Sequence, residues 1–350
     1  MSRRPLLQRL DLPSVVVFRA LHLGAMLCAV PAMRALRAAL PRTHVALVGL
    51  PWARQFAGRF SRYVDEFIPF PGHPLLPEQD VPRDGLVDFY AGLCARRFGL
   101  AIQLHGGAEA GNEVVSGFGA RATAGFCRGR TVVRERSMLL PFPDTGAEPE
   151  RLQRLMTRLG AAPAGDEFEF PLTREDEEAL DASGVGAGLV PGNYLCLHPG
   201  ARRRDTCWPA RCFAEVGDRL AGEFGLRIVL TGSAEEADLG AEVAAQMRHP
   251  PVDATGRLPL GALAVLLRGA RLLVCNDTGV SHIAAGLKLK SVVIFGQDDV
   301  ARWAPPDRLL HRCIWDPSAQ RIECVLRHAR VLLSDLPASR QRSMGMWPYW

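Results

Sequence analysis

One stretch constrains this chain more than any other, residues 272–285: Leu272, Leu273, Val274 and Cys275, then Asn276-Asp277-Thr278-Gly279, then Val280-Ser281-His282-Ile283-Ala284-Ala285. The first four residues are an apolar run of strand type. A turn of small residues follows, and a helical pattern begins at Val280. A strand that ends in Asp-Thr-Gly and feeds a helix leaves unpaired backbone N–H groups at the helix start. Those donors and the helix dipole suit a phosphate. An ordinary helix start, capped by Asp277 or Thr278 with no ligand, explains the same residues. The remainder of the chain must separate the two readings.

The same unit recurs. Strand-like runs at residues 14–18, 44–49, 66–69, 100–104 and 119–126 alternate with helical patterns at residues 26–40, 52–60 and 87–98. Pro31 lies inside the first helical pattern and either kinks it or marks its true start. Residues 160–193 are rich in Ala, Gly, Pro and acids, with little periodicity, and read as the boundary between two domains. Beyond them, strands at residues 194–198, 227–230, 272–275 and 291–295 are each followed by a glycine-containing loop, and helical patterns lie between them. Such alternation predicts parallel α/β sheets, with ligands at the carboxyl ends of the strands. The expected domains are residues 1–172 and 173–333, with a loose tail at 334–350.

Composition narrows the function. A chain of 350 residues that is 48% hydrophobic has material for two cores. No apolar run reaches the roughly 18 residues of a membrane span. The first 33 residues place Arg3-Arg4 before an apolar region, but Asp11, Pro13 and Arg19 interrupt it; they read as a short tail leading into the first strand. Nine cysteines stand singly, with no CxxC pair, which suggests reduced thiols in a cytoplasm and no zinc. The net charge of +5 is modest and carries no nucleic-acid signature. Peripheral contact with the inner surface of the membrane remains open, with Arg34, Arg37, Arg54, Arg59 and Arg62 as a basic face.

In order along the chain stand Leu23-Gly24-Ala25 with residues 31–36, Leu197-His198-Pro199-Gly200-Ala201, Trp208-Pro209 with Phe213, Leu230-Thr231-Gly232-Ser233, the Asn276–His282 block, and Phe295-Gly296 with Trp303-Ala304-Pro305. This set resembles the heptosyltransferase family of inverting glycosyltransferases, glycosyltransferase family nine, over roughly residues 15–305. The Asp-Thr-Gly-x-x-His block with a downstream Phe-Gly is fairly specific, and each other motif alone is weak. The resemblance implies an α/β fold of the GT-B type, two Rossmann-like domains facing across a cleft. The acceptor, a saccharide or glycolipid such as lipopolysaccharide core, belongs to the first domain. A nucleotide-sugar, typically ADP-heptose, belongs to the second. No cofactor or metal is expected. The last helical segment, residues 321–333, is expected to return to the first domain.

Transfer from such a donor needs a stabilised diphosphate, a deprotonated acceptor and exclusion of water. For the diphosphate the resemblance offers Asp277, Thr278 and Gly279, with His282 one turn into the helix. Relatives carry a cation immediately before the Trp of the Trp-Pro pair. Here that position is Cys207, and Arg202, Arg203 or Arg204 is the substitute. Glu236 matches the ribose-binding acid, with Glu235 as its alternate. The acceptor side departs from the pattern. Relatives read Leu-Gly-Asp, with the Asp as general base, whereas this chain has Ala25 after Gly24. Three explanations compete: an engineered alanine variant, a natural member without activity, or another base, namely His22, His105 or Glu109. A non-catalytic nucleotide-sugar-binding protein is the rival function. A sugar-nucleotide epimerase explains the alternation and leaves the Asp277-Thr278-Gly279 block unexplained.

Overall fold

A computed structural model describes residues 5–76, 85–106, 109–128 and 137–334 of the chain. Its contacts divide the chain between Glu167 and Phe168 into two compact units. In the first unit the strands are β1 (Ser14–Phe18), β2 (His44–Gly49), β3 (Glu66–Pro69), β4 (Leu100–Gln103), β5 (Thr123–Cys127) and β6 (Ser137–Pro141). The second unit holds β7 (Tyr194–His198), β8 (Arg227–Leu230), β9 (Val252–Asp253), β10 (Leu272–Asn276), β11 (Ser291–Phe295) and β12 (His311–Trp315).

The two sheets share one topology. The first runs β3-β2-β1-β4-β5-β6 and the second β9-β8-β7-β10-β11-β12, with every described pairing in them parallel. This is the doubly wound Rossmann order, in which successive crossovers leave the starting strand in opposite directions. The order reverses between β1 and β4 in the first sheet and between β7 and β10 in the second. Loops diverge there, so each sheet has a crevice at the carboxyl ends of those two strands. Register makes the ends level in the second sheet: Cys275 lies opposite His198.

The strands read as near-continuous apolar runs because helices cover both faces of a parallel sheet. All five residues of β7, β10 and β11 are buried. The helix Ala210–Phe224 contributes Cys212, Phe213, Val216 and Leu220 to the same core. The helix Ile322–Leu333 packs through Val325, Leu326 and Ala329 onto that core within its own unit, where the resemblance had placed it against the other domain. Pro31 proves to be a start signal. One helix covers Leu23–Cys28 and a second, Val30–Ala39, has the proline in its first two positions.

Elements outside the sequence reading are short or polar. β9 has two residues and β12 begins His-Arg, so neither shows strand periodicity. Residues 160–193 contain the helix Arg174–Ser183, whose buried face is empty. Its start is a capping box: Thr173 Oγ1 accepts from Asp176 N–H, and the Asp176 carboxylate accepts from Thr173 N–H at 3.0 Å. No helix among the described residues is long and apolar enough to cross a membrane. The expected tail lies, from residue 335, outside the described residues.

One buried ion pair holds the carboxyl end of β1. Arg19 is fully buried and its guanidinium donates to Ala25 O, at 2.9 Å from Nε and 2.6 Å from Nη2, to Leu104 O, and to Glu148 Oε1 at 3.2 Å. Removing one partner of such a pair strands a charge in low dielectric. Glu148→Ala is therefore expected to cost about 3–5 kcal/mol of unfolding free energy, read from a urea denaturation midpoint at constant slope.

Candidate active site

The second unit's crevice is built on one amide. Asn276 ends β10, is buried, and points its side chain across to β7. Its Nδ2 donates to Pro199 O at 2.6 Å and its Oδ1 accepts from Trp208 N–H at 3.0 Å. One side chain thus pins the loop after β7 at both ends. Trp208 is held again by its indole N–H, which donates to Asp316 at 2.9 Å, and by an edge contact with Phe213. Gly296, after β11, lets Thr206 O approach: a Cβ there would lie 2.7 Å from that oxygen.

Beside this anchor stands the Asp277-Thr278-Gly279 turn. Thr278 is the N-cap of the helix Gly279–Leu287, with extended backbone, and its side chain makes no capping hydrogen bond. Ser281 instead closes the first turn through Thr278 O, by both its N–H and its hydroxyl. The amides at the helix start are therefore not taken by a side-chain cap. Burial, and then the charge of Asp298, push the Asp277 carboxyl up from 3.8 to about 7.

The expected ribose acid faces the same loop. Glu236 Oε2 accepts from Ser233 N–H at 2.7 Å, completing a capping box. The carboxylate lies against the bare Cα of Gly200, so that a Cβ at that position would overlap it. His198 Nε2 stands 3.9 Å from Glu236 Oε2, and its Nδ1 is 3.0 Å from Thr231 Oγ1; burial drives its pKa down while Glu236 opposes that. Glu235, one residue earlier, is exposed.

The arginines separate. Arg203 is held by Asp205, with Nη2 to Oδ2 at 2.6 Å, and Arg204 donates to Asp238. Arg202 is exposed and has no ion-pair partner among the described residues, so it is the cation left to meet a ligand. Cys207 is half-buried; burial first, and then the Glu236 charge, raise its thiol pKa. His282 lies in the first turns of the helix Gly279–Leu287. Its ring is buried against Phe168, 5.6 Å between centroids, and burial with the nearby His311 pulls its pKa down to about 4.

In the first unit His22, Gly24, Ala25 and His105 gather at the carboxyl ends of β1 and β4. His22 is the exposed N-cap residue of Leu23–Cys28, and Gly24 and Ala25 lie in its first turn. His105 stacks on Phe18 at 5.1 Å, and its Nδ1 accepts from Ala20 N–H at 3.3 Å. That bond engages the Nδ1 lone pair. Glu109 is exposed at the start of Glu109–Ser116. The basic face is thinner than its arginine count: Arg34 donates to Ala164 O and Glu167 O, and Arg37 to Thr43 O and Asp65.

Asn276 and Arg19 are the residues that sequence reasoning passed over as site residues. Each is a polar side chain at the carboxyl end of an apolar strand, the one local sign available.

Two Rossmann-type sheets of this order make the GT-B type of fold. The chain belongs to glycosyltransferase family 9, the heptosyltransferase family, whose profile matches residues 154–329. A lipopolysaccharide heptosyltransferase 3 of Escherichia coli is 33% identical over 129 residues, which is 36% of this chain and 36% of that protein. The alignment thus spans about a third of the relative's length. Among solved structures, a family 9 glycosyl transferase of Veillonella parvula superposes with a TM-score of 0.79 at 20% identity, covering 93% of this chain and 99% of that one. An Escherichia coli heptosyltransferase solved with ADP gives 0.63 at 19% identity, covering 95% and 98%.

Two substitutions test the crevice. Asn276→Ala leaves a buried N–H and a buried C=O without partners and is expected to cost about 2–4 kcal/mol in chemical denaturation. Asp277→Asn tests the raised carboxyl. The folded state holds the Asp277 proton more tightly than the unfolded chain, so the stability it confers is complete below 3.8 and falls away as pH rises to about 7. The variant should match the parent at pH 4 and be more stable at pH 8, by thermal unfolding at both values.

Proposed function

We propose that this protein is a metal-independent inverting glycosyltransferase that moves a heptose from ADP-heptose to a saccharide acceptor of the lipopolysaccharide core type. The carrying observation is the helix Gly279–Leu287, which begins without a side-chain cap at the point where the second sheet's strand order reverses. In this reading residues 173–333 hold the donor and residues 1–172 the acceptor. The protein works in the cytoplasm, at the inner membrane surface where such an acceptor is presented.

The geometry of each unit supports the following roles. The Thr278 and Gly279 N–H groups and the Thr278 hydroxyl take the diphosphate oxygens, which gain charge as the glycosidic bond breaks. Arg202 supplies the cation that relatives place before the Trp-Pro pair. Ser233 N–H holds one Glu236 oxygen, which orients the other toward a ribose hydroxyl beside Gly200. The raised Asp277 carboxyl carries less negative charge near neutral pH than an ordinary aspartate, which lowers the repulsion that a second anion would meet. The acceptor oxygen attacks the anomeric carbon from the face opposite the departing ADP, which inverts that centre, and its proton must leave to a base.

That base is the weak point, and it favours a second reading. Ala25 accepts no proton, His105 Nδ1 already accepts from Ala20 N–H, and His22 is an exposed N-cap residue. A protein with the donor site and no base binds nucleotide-sugar without turning it over. Position 25 lies in the first turn of its helix, where a carboxylate is favoured by the dipole, so Ala25→Asp restores the base with little strain. ADP release with a panel of nucleotide-sugars is the measurement. We expect Ala25→Asp to exceed the parent by about 10²–10⁴-fold with ADP-heptose. Binding without turnover in both forms supports the binding protein, and no nucleotide-sugar binding in either form refutes both readings.

A further inference from the structure

A cavity with a mixed lining, more apolar than polar, lies at the outer edge of the second sheet. It has a volume of about 410 Å³ and runs between β12 and the start of the helix Ile322–Leu333. β12 is the edge strand, two positions from β10 in the sheet. At the spacing of parallel strands that is about 10 Å from the Thr278–Gly279 turn's own strand.

Its chemistry is cationic. Arg321, Cys324, Arg327 and His328 sit three and four residues apart, so they share one helix face, and all four line the cavity. Arg321 and Arg327 are exposed, and neither guanidinium has a carboxylate partner among the described residues; Arg327 Nη2 donates only to Cys324 Sγ at 3.4 Å. Glu323 also lines the cavity, but its carboxylate is engaged by Arg219. The helix is 12 residues long; the Arg321 side chain makes no capping bond, and the Asp316 carboxylate accepts from the Gln320 and Arg321 N–H groups just before the first turn. At the inner end His328 is 6% exposed, and its Nδ1 is buried with no hydrogen-bond partner. Buried polar atoms are rarely left so, and an unpartnered one inside a cavity marks where a ligand atom belongs. Burial first, then the charges of Arg312 and Arg327, hold the pKa of this histidine down to about 4, so the ring is neutral and has a proton to place on Nδ1. Among the described residues no group of three His, Cys, Asp or Glu side chains could hold a metal ion, which removes the thiols and the imidazole as a metal site.

We propose that this cavity binds a phosphate group, with Arg321, Arg327 and the first-turn amides around its outer oxygens and His328 Nδ1–H donating from the buried end. The group is either inorganic phosphate or the terminal phosphate of a lipid headgroup. The site is separate from the donor crevice and does not depend on the reaction proposed there.

The test follows the His328 ring nitrogens by NMR in the full chain, titrated with inorganic phosphate and, separately, with a short-chain phosphatidic acid. A saturable shift of Nδ1 with either probe is expected, and the probe with the lower half-saturation names the source. Arg327→Lys keeps the charge and loses the planar fork, and should weaken that saturation about tenfold. Arg321→Gln should weaken it as well. Both positions are exposed, so the fold survives either change. A phosphate that moves only the Thr278 and Gly279 amides and leaves His328 unmoved overturns the proposal. So does a His328 shift that is identical in the parent and both variants.

Discussion

The second unit depends on the Asn276 side chain. Parallel strands can bring two loops to the same end of a sheet, but they do not hold those loops in place. The Asn276 amide does so with both its donor and its acceptor, to Pro199 O and to Trp208 N–H. Its neighbours make the closeness possible. Gly200 leaves room for the Glu236 carboxylate and Gly296 leaves room for Thr206 O. Glu236 and the start of the helix Gly279–Leu287 therefore flank one anchored loop at the crevice between β7 and β10.

The first unit repeats the topology with a different anchor. Arg19 takes the place that the amide holds in the second unit, fastening the turn after β1 to Leu104 O, Ala25 O and Glu148. A fully buried guanidinium is costly unless all its donors are met, and here carbonyls and a carboxylate meet them. The backbone of residue 25 is thus fixed although its side chain is only a methyl group. Position and chemistry are separable at this site: the scaffold that would present a base is intact, and the base is the part that differs.

Much of the architecture was legible because buried parallel strands need continuous apolar residues, and loops at their ends need glycine. β1, β2, β3, β7, β8 and β11 are such runs, and their limits follow from composition. β9 and β12 were not legible, since a two-residue strand has no period and β12 opens on His and Arg that are buried by neighbours distant in sequence. The helix Arg174–Ser183 was hidden for the opposite reason: none of its residues is fully buried, so it carries little apolar stripe, and the Thr173–Asp176 box is its clearest local sign.

Sequence alone determined the alternation of strand and helix, the motif order that marks the family, and the alanine at position 25. Those are properties of residue type and spacing, which local physics reads directly. Tertiary structure decided which polar groups act together. Arg203 and Arg204 are occupied by Asp205 and Asp238, whereas Arg202 beside them has no such partner. His282 is turned inward onto Phe168, and His105 spends its acceptor nitrogen on Ala20 N–H. In the Asp277-Thr278-Gly279 turn, the spacing was compatible with a capped helix and with a phosphate site alike. Which strand lies beside β10 is fixed by pairing between residues far apart in the chain.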